Sequence, residues 1–249
     1  MKNYSRLLTL IIFATALNCS FALPYKPLVH GGYKSFTVTE YRYKDGKLVN
    51  NNGEKQSTNR IDVNGNIIEI TSYANNKIDQ KYKIDNKYDA KGLLIESIYY
   101  DAKTQPRIKF TYTYDNRTNK IEDATYNDKG EQTNKTIYKY DDKNFLIQAV
   151  YYVFKDGKEE LTNTMNYKND EHGNPIETTT VQSYGTSATS KTDYFYDSRG
   201  KMIKSIYHVS DGELFIKEYK YDQFGNILEE IYPDEKGKIQ MITKYVYVK

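Results

Sequence analysis

Apolar and polar residues alternate with a period of two along much of this chain. In "IKFTYTY", Ile108, Phe110, Tyr112 and Tyr114 fall on one side, and Lys109, Thr111 and Thr113 on the other. This is the pattern of a half-buried strand, because successive strand side chains point to opposite faces. No segment sustains a 3.6-residue apolar period with caps, so the pattern predicts strands and essentially no helix.

The strands recur in a repeated phrase. "YDAKGLLIESIY" (Tyr88–Tyr99), "YDSRGKMIKSIY" (Tyr196–Tyr207) and "YDQFGNILEEIY" (Tyr221–Tyr232) are near-copies. The opening tyrosines Tyr88, Tyr114, Tyr140, Tyr167, Tyr196 and Tyr221, with Tyr247 near the end, stand 25 to 29 residues apart. Ile61 opens a similar unit, and Tyr43, followed by "KDGKL", a shorter one. An aliphatic residue stands seven places after the tyrosine in five units: Ile95, Ile121, Ile147, Ile203 and Leu228. Three places further come Ile98, Val150, Ile206 and Ile231, with Ala124 in the fifth unit. A second polar stretch follows, such as "NDKGE" (Asn127–Glu131) or "DEKGK" (Asp234–Lys238), and a Tyr-x-Tyr pair closes the unit.

Asp opens a turn by accepting hydrogen bonds from nearby backbone, and a following Gly supplies a positive φ. Two strands of about 5–8 residues and two turns fill roughly 26 residues. Each unit therefore reads as a β-hairpin. The first strand of each unit alternates less cleanly, with Leu94, Ile95 and Ile98 on both faces. Either both faces are partly covered or a bulge intervenes. "QSYGTSATSK" (Gln182–Lys191) reads as an enlarged loop, and "NNNGEKQSTN" (Asn50–Asn59) looks similar. The predicted architecture is all-β: an antiparallel array of about seven hairpins of ~26 residues, forming an open, twisted or curled meandering sheet.

The N-terminus changes the picture of where this array works. Lys2 and Arg6 precede the apolar run Leu7–Leu17, and Ser20-Phe21-Ala22 offers small residues for cleavage after Ala22. The run is shorter than the roughly 20 residues a spanning helix needs. Residues 1–22 thus read as a secretory signal peptide, leaving one domain over 23–249 and no transmembrane segment after its removal. Cys19 is the only cysteine; as a lipid-bearing residue it would make the chain a lipoprotein, but Ala16-Leu17-Asn18 fits that signal poorly. Without Cys19 there is no disulfide and no thiolate metal site. Basic and acidic residues nearly balance, 36 against 33, and no basic block marks a nucleic-acid partner. Low hydropathy alone would suggest disorder, but 27 tyrosines favour strands and bury large rings.

These residues resemble the YD repeats of Rhs-type and wall-associated bacterial proteins. The shared pattern stands at Tyr88-Asp89 with Gly92, Tyr196-Asp197 with Gly200, and Tyr221-Asp222 with Gly225. Tyr114-Asp115 and Tyr140-Asp141 are weaker copies, with Thr118 and Asn144 in place of Gly. The resemblance covers about 61–249. It implies a β-hairpin array and no known catalysis. Rhs proteins are far longer and wind their repeats into a closed shell around a C-terminal toxin. Here the sequence stops two residues after Tyr247, and some seven hairpins read as too few to enclose one, so the chain looks more like the small exported YD-type proteins of bacteria that lack a toxin domain, with a shell-type fragment of an Rhs-like system as an alternative.

Candidate chemistry is sparse. His30, His172 and His208 occupy unmatched repeat positions, and His208 reads as a surface strand residue. No nucleophile-elbow, zinc-protease or phosphate-loop pattern occurs, so no catalytic residue, metal ligand or cofactor site is assigned. "DEHGN" (Asp170–Asn174) and "DSRG" (Asp197–Gly200) are explained by turn chemistry without calcium. Asn116-Arg117-Thr118 and Asn134-Lys135-Thr136 match glycosylation acceptors by chance in a bacterial-looking chain.

One feature has functional reach. Tyr112, Tyr138, Tyr194, Tyr219 and Tyr245 align in the repeat and would stack across strands. They are either framework packing or an aromatic platform for a sugar or peptide. The expected function is an exported, non-enzymatic repeat protein binding a protein or glycan partner at the envelope or outside the cell. Alternatives are a self-associating structural protein of a surface layer or matrix, and an enzyme with an unfamiliar site around Gln182–Lys191.

Overall fold

The computed structural model describes residues 29–49, 52–183, 189–208 and 212–249. The segment read as a signal peptide, with Cys19, lies outside the described residues, as does the tip of the Gln182–Lys191 loop. The strands are β1 (Ser35–Lys44), β2 (Lys47–Leu48), β3 (Glu54–Ile61), β4 (Ile67–Ala74), β5 (Lys77–Tyr88) and β6 (Leu94–Tyr100). There follow β7 (Pro106–Tyr114), β8 (Lys120–Tyr126), β9 (Gln132–Tyr140), β10 (Leu146–Lys155), β11 (Lys158–Asn169) and β12 (Pro175–Gln182). Last come β13 (Thr189–Tyr196), β14 (Met202–His208), β15 (Leu214–Tyr221), β16 (Ile227–Pro233) and β17 (Ile239–Val248).

The sheet is closed, which overturns the open meander expected from the repeat. Each strand from β3 to β17 pairs antiparallel with the next, and β1 pairs with both β3 and β17. The seam runs from Ser35 opposite Val248 to Arg42 opposite Met241. The two-residue β2 pairs only with the end of β1, so sixteen strands form the wall. Seven hairpins do enclose a space once the first and last strands join them. At ~4.8 Å between strands and a tilt near 40°, such a wall is about 30 Å across.

The physical cause of closure lies in the uneven alternation. A bulge does intervene: the register slips at the same place in seven hairpins, between Arg60/Ile61, Lys87/Tyr88, Thr113/Tyr114, Leu146/Gln148, Lys168/Asn169, Phe195/Tyr196 and Lys220/Tyr221. The extra residue in each is the aliphatic at the seventh place, such as Ile95, Ile121 or Leu228. Bulges bend the strand and add twist. Six further register shifts, at Val38/Thr39, Ser72/Tyr73, Tyr99/Tyr100, Thr125/Tyr126, Tyr151/Tyr152 and Tyr232/Pro233, stand toward the opposite end, and the bends at both ends together curve the sheet and carry β17 round to β1. Closure then pairs two edges that an open sheet would leave exposed.

The repeated phrase builds the end that carries the seven bulges, called here the bulged end. Asp62, Asp89, Asp115, Asp170, Asp197 and Asp222 each accept, through Oδ1, the backbone N–H groups two and four residues on, at 2.8–2.9 Å. Gly200 and Gly225 take positive φ of 72° and 93°, and Thr118 and Asn144 adopt the same conformation at 69° and 73°. The phrase-opening tyrosine reaches back one hairpin. Tyr114, Tyr140, Tyr196, Tyr221 and Tyr247 donate their hydroxyls to the carbonyls of Leu94, Lys120, Pro175, Met202 and Ile227, at 2.6–3.0 Å. Each acceptor is the first residue of the preceding hairpin's second strand, beside its bulge.

Three assignments change. Asn169, not Tyr167, holds the phrase-opening place on β11, and its Nδ2 donates to the Leu146 carbonyl at 2.8 Å. Tyr43 opens no unit: Asp45-Gly46 is the tight β1–β2 turn at the opposite end of the barrel. Much of Asn50–Asn59 is strand β3, because its polar residues pair with β1 and β4.

Residues before β1 lie across the seam at the bulged end. Val29 N–H donates to Gly65 O at 3.1 Å, and His30 N–H to Asn226 Oδ1 at 2.7 Å. Asn226 Nδ2 returns a bond to His30 O at 2.9 Å, and Tyr33 packs 5.2 Å from the Tyr247 ring. This strap ties the β3–β4 turn to the β15–β16 turn, with the closing pair between them.

Turn geometry gives a testable contrast. A Cβ on Gly173 would lie 2.3 Å from the Phe145 ring, whereas one on Gly92 meets nothing within 4 Å. Both sites carry positive φ, at 83° and 79°. Gly92→Ala is expected to cost about 1–2 kcal/mol from backbone strain, and Gly173→Ala about 1–3 kcal/mol more from displaced packing. Urea unfolding of the two variants measures the difference, and equal losses would contradict the Phe145 contact.

Candidate functional site

The inward face follows from burial. On β5, Tyr82 and Ile84 are buried while Lys81, Lys83 and Asp85 are exposed. Side chains on the concave side of a closed sheet converge, so the buried set faces the lumen. Following cross-strand partners around the wall puts Tyr112, Tyr138, Tyr194, Tyr219 and Tyr245 on that face. All five sequence-predicted residues are therefore lumenal.

They do not stack on one another. They stand on β7, β9, β13, β15 and β17, with an intervening strand between successive members and spacings of about 10 Å or more. Polar residues of the intervening strands fill the gaps. Tyr138 Oη donates to Asp123 Oδ2 at 2.6 Å, and Thr178 Oγ1 lies 3.2 Å from Tyr194 Oη. Tyr219 sits opposite Glu230 in the register. The lumenal wall is thus a lattice of phenols and polar groups, not an aromatic strip.

Two ion pairs are built into it, and sequence reasoning missed both. Lys120 Nζ lies 2.8 Å from Asp123 Oδ2 and 4.6 Å from the centre of the Tyr138 ring. Lys217 Nζ lies 2.8 Å from Glu230 Oε1, with the rings of Tyr219 and Tyr232 at 5.2 and 5.3 Å. Glu230 is only 4% exposed and also accepts the Tyr232 hydroxyl at 3.0 Å. Burial alone would lower the Lys217 pKa, but the Glu230 carboxylate outweighs it and holds the ammonium above its ordinary value. The signal was present in the sequence as a Glu and a Lys at inward places of "LFIKEYK" and "LEEIY", but the inward phase depends on where each bulge falls.

The wall is uneven. From β17 through β1 to β7 it is closely packed, with Phe36, Ile70, Ile84, Tyr99 and Phe110 buried together beside Ser57, Asn59 and Ser97. From β8 to β16 the lumenal side chains are more polar and less covered. The outer face carries charge instead. Arg60–Glu69, Lys191–Glu177, Lys220–Glu229 and Lys244–Glu229 pair there at 2.8–3.2 Å. His208 is on this outer face, as expected of a surface strand residue, with Nε2 2.8 Å from Asp193 Oδ2. Among the described residues no group of three or more His, Cys, Asp or Glu could hold a metal, and no helix is long and apolar enough to cross a membrane.

No protein-family model matches the sequence, and no curated protein does. Solved structures do match in shape. A porin-like protein from Bacteroides uniformis ATCC 8492 is 11% identical, with 88% of this chain and 99% of that one aligned at a TM-score of 0.53. A porin-like protein from Bacteroides vulgatus ATCC 8482 is 13% identical over 85% and 97% of the two chains, at 0.40. A Tc holotoxin pore structure from Photorhabdus luminescens is 15% identical over 77% of this chain and 12% of that one, at 0.31. The first similarity is one of fold: this chain shares the barrel architecture of that porin-like protein.

The buried phenols set a pH limit. Burial pushes the Tyr99 hydroxyl to about 12 and raises those of Tyr112, Tyr245 and Tyr247 further. A raised folded-state value means the folded chain keeps protons that the unfolded chain loses. Stability is therefore complete below pH 10 and falls as pH climbs from 10 to 12, by roughly 3 kcal/mol from Tyr99 alone. Absorbance at 295 nm and circular dichroism, followed together through alkaline titration, should show delayed phenol ionisation that coincides with unfolding. Ionisation of all the phenols near pH 10 with the fold intact would contradict the packing.

Proposed function

We propose that this chain is an exported, non-enzymatic barrel that works in water, at the envelope or outside the cell, and binds a glycan along its tyrosine-lined lumen. The observation that carries the reading is the polarity of the two faces. A lipid-facing barrel presents an apolar band outward, and a Lys or Arg in that band costs about 2–4 kcal/mol at the bilayer midplane. Here Lys191, Lys204, Lys220 and Lys244 point outward beside Glu177, Glu218 and Glu229. The lumen offers what binding sites commonly offer, aromatic surface with a few fixed polar groups. The basic and apolar N-terminal residues support export. The likeness of the hairpins to YD repeats is consistent with a binding scaffold, and the closed wall leaves no long strand edge for stacking into a matrix.

Two measurements test this. Purified protein lacking residues 1–22 is expected to remain in solution without detergent and to stay unbound when floated with phospholipid vesicles. On a glycan array it is expected to retain at least one oligosaccharide class. Quantitative flotation with vesicles would remove the aqueous barrel, and an empty array would remove the glycan.

A further inference from the structure

The repeat supplies its own internal control for where a ligand sits. Tyr99 on β6 and Tyr207 on β14 occupy the same place in the phrase, and both face the lumen. Tyr99 is 7% exposed, while Tyr207 is 38% exposed. Their neighbours explain the difference. Tyr99 lies opposite Ile84 and Ile108 and is capped edge-on by Phe110, with ring centres 5.4 Å apart. At the matching positions Tyr207 has Thr192 and Phe215, and Lys217 replaces Phe110. Thr192 is too short to cover the ring, and the Lys217 ammonium is drawn away to Glu230 at 2.8 Å. Phe215, directly opposite Tyr207 with ring centres 6.3 Å apart, is left 60% exposed.

Resting on the lumenal reading above, we infer that Tyr207 and Phe215 form the ring-binding subsite of the barrel, and that its ligand is a neutral pyranose chain. Open aromatic faces beside a few fixed polar groups are the usual composition of a small-ligand site. The polar groups here are the Lys217–Glu230 pair and the Tyr232 hydroxyl, which sum to no net charge. A sugar ring matches this arrangement, with C–H groups on its face for the aromatics and hydroxyls at its edge for donors and acceptors. An acyl chain would strip water from the ion pair and return no hydrogen bond. An extended peptide ordinarily gains affinity by adding to a sheet edge, and the wall strands around this site are paired on both sides.

The chain contains no tryptophan, so Phe215→Trp gives a single reporter inside the subsite. That variant is titrated with cello-, xylo-, manno-, malto- and chitohexaose, and with a neutral apolar heptapeptide. At least one hexaose is expected to shift the emission saturably. For that sugar, Tyr207→Ala and Phe215→Ala in the otherwise native chain should each weaken binding about tenfold or more. Both alanine variants should keep their thermal midpoint within a few degrees, because both rings are far more exposed than that of Tyr99, whereas Tyr99→Ala should lower it sharply. If the native chain binds a hexaose and both alanine variants bind it equally, the subsite lies elsewhere and this inference falls while the lumenal reading stands. A response to the heptapeptide alone overturns the sugar. If the native chain binds no hexaose and retains nothing on the array, the lumenal reading falls with it.

Discussion

A hydroxyl that reaches back one hairpin, to a carbonyl beside a bulge, is the interaction on which this barrel depends. The bulge bends the strand, the Asp-capped turn fixes where the bulge falls, and the tyrosine ties each bent hairpin to the one before it. None of the three is strong alone; a neutral hydrogen bond contributes about 0.5–1.5 kcal/mol. Repeated around one end of the sheet, and joined by the bulges of the other end, they set a common curvature, and the sheet returns to its start. Where the phrase departs from its pattern the tie survives in another form. Asn169 substitutes an amide for the phenol and bonds the same carbonyl position. Tyr88 bonds Asp62 instead, and Asn86 donates to the Ile67 carbonyl in its place.

Other tyrosines of the phrase, at the place of Tyr99 and Tyr207, line the wall without tying it, and their neighbours decide how far they are covered. Where neighbours are Ile84 and Phe110, a lumenal tyrosine disappears into packing and contributes stability. Where they are Thr192 and Lys217, it stays open to the lumen. An open lumenal ring therefore comes from a local failure of an otherwise uniform packing scheme, and a repeat protein can open such a ring by changing the neighbours of a residue that stays the same.

The hairpins, both families of turns and the lumenal tyrosines were legible in the sequence, because each is a local consequence of alternation or of Asp and Gly chemistry. Closure was not. It depends on the sum of the bends at both ends of the sheet, and residues that produce them, such as Ile95 and Leu228, look like ordinary strand aliphatics until their partners are known. The ion pairs were hidden for the same reason, since a bulge shifts the inward phase and moves Glu230 and Lys217 from ambiguous places to buried ones. The strap at Val29–Tyr33 has no repeat signature; its bonds to Gly65, Asp222 and Asn226 exist only because closure brings those turns together.

The seam has a consequence for the order of events as the chain folds. Every other strand pair of the wall joins neighbours in sequence, but Ser35 meets Val248 across nearly the whole polypeptide. Closing so long a loop costs roughly 3 kcal/mol more in chain entropy than closing a ten-residue hairpin. The hairpins can form as they emerge, but the ring cannot shut until β17 has been delivered. Until then two sticky edges stand open together. For a chain made from its N-terminus, the period of greatest exposure to misassembly is the interval between the arrival of β1 and the arrival of its partner, and the strap at the seam acts only after that interval has passed.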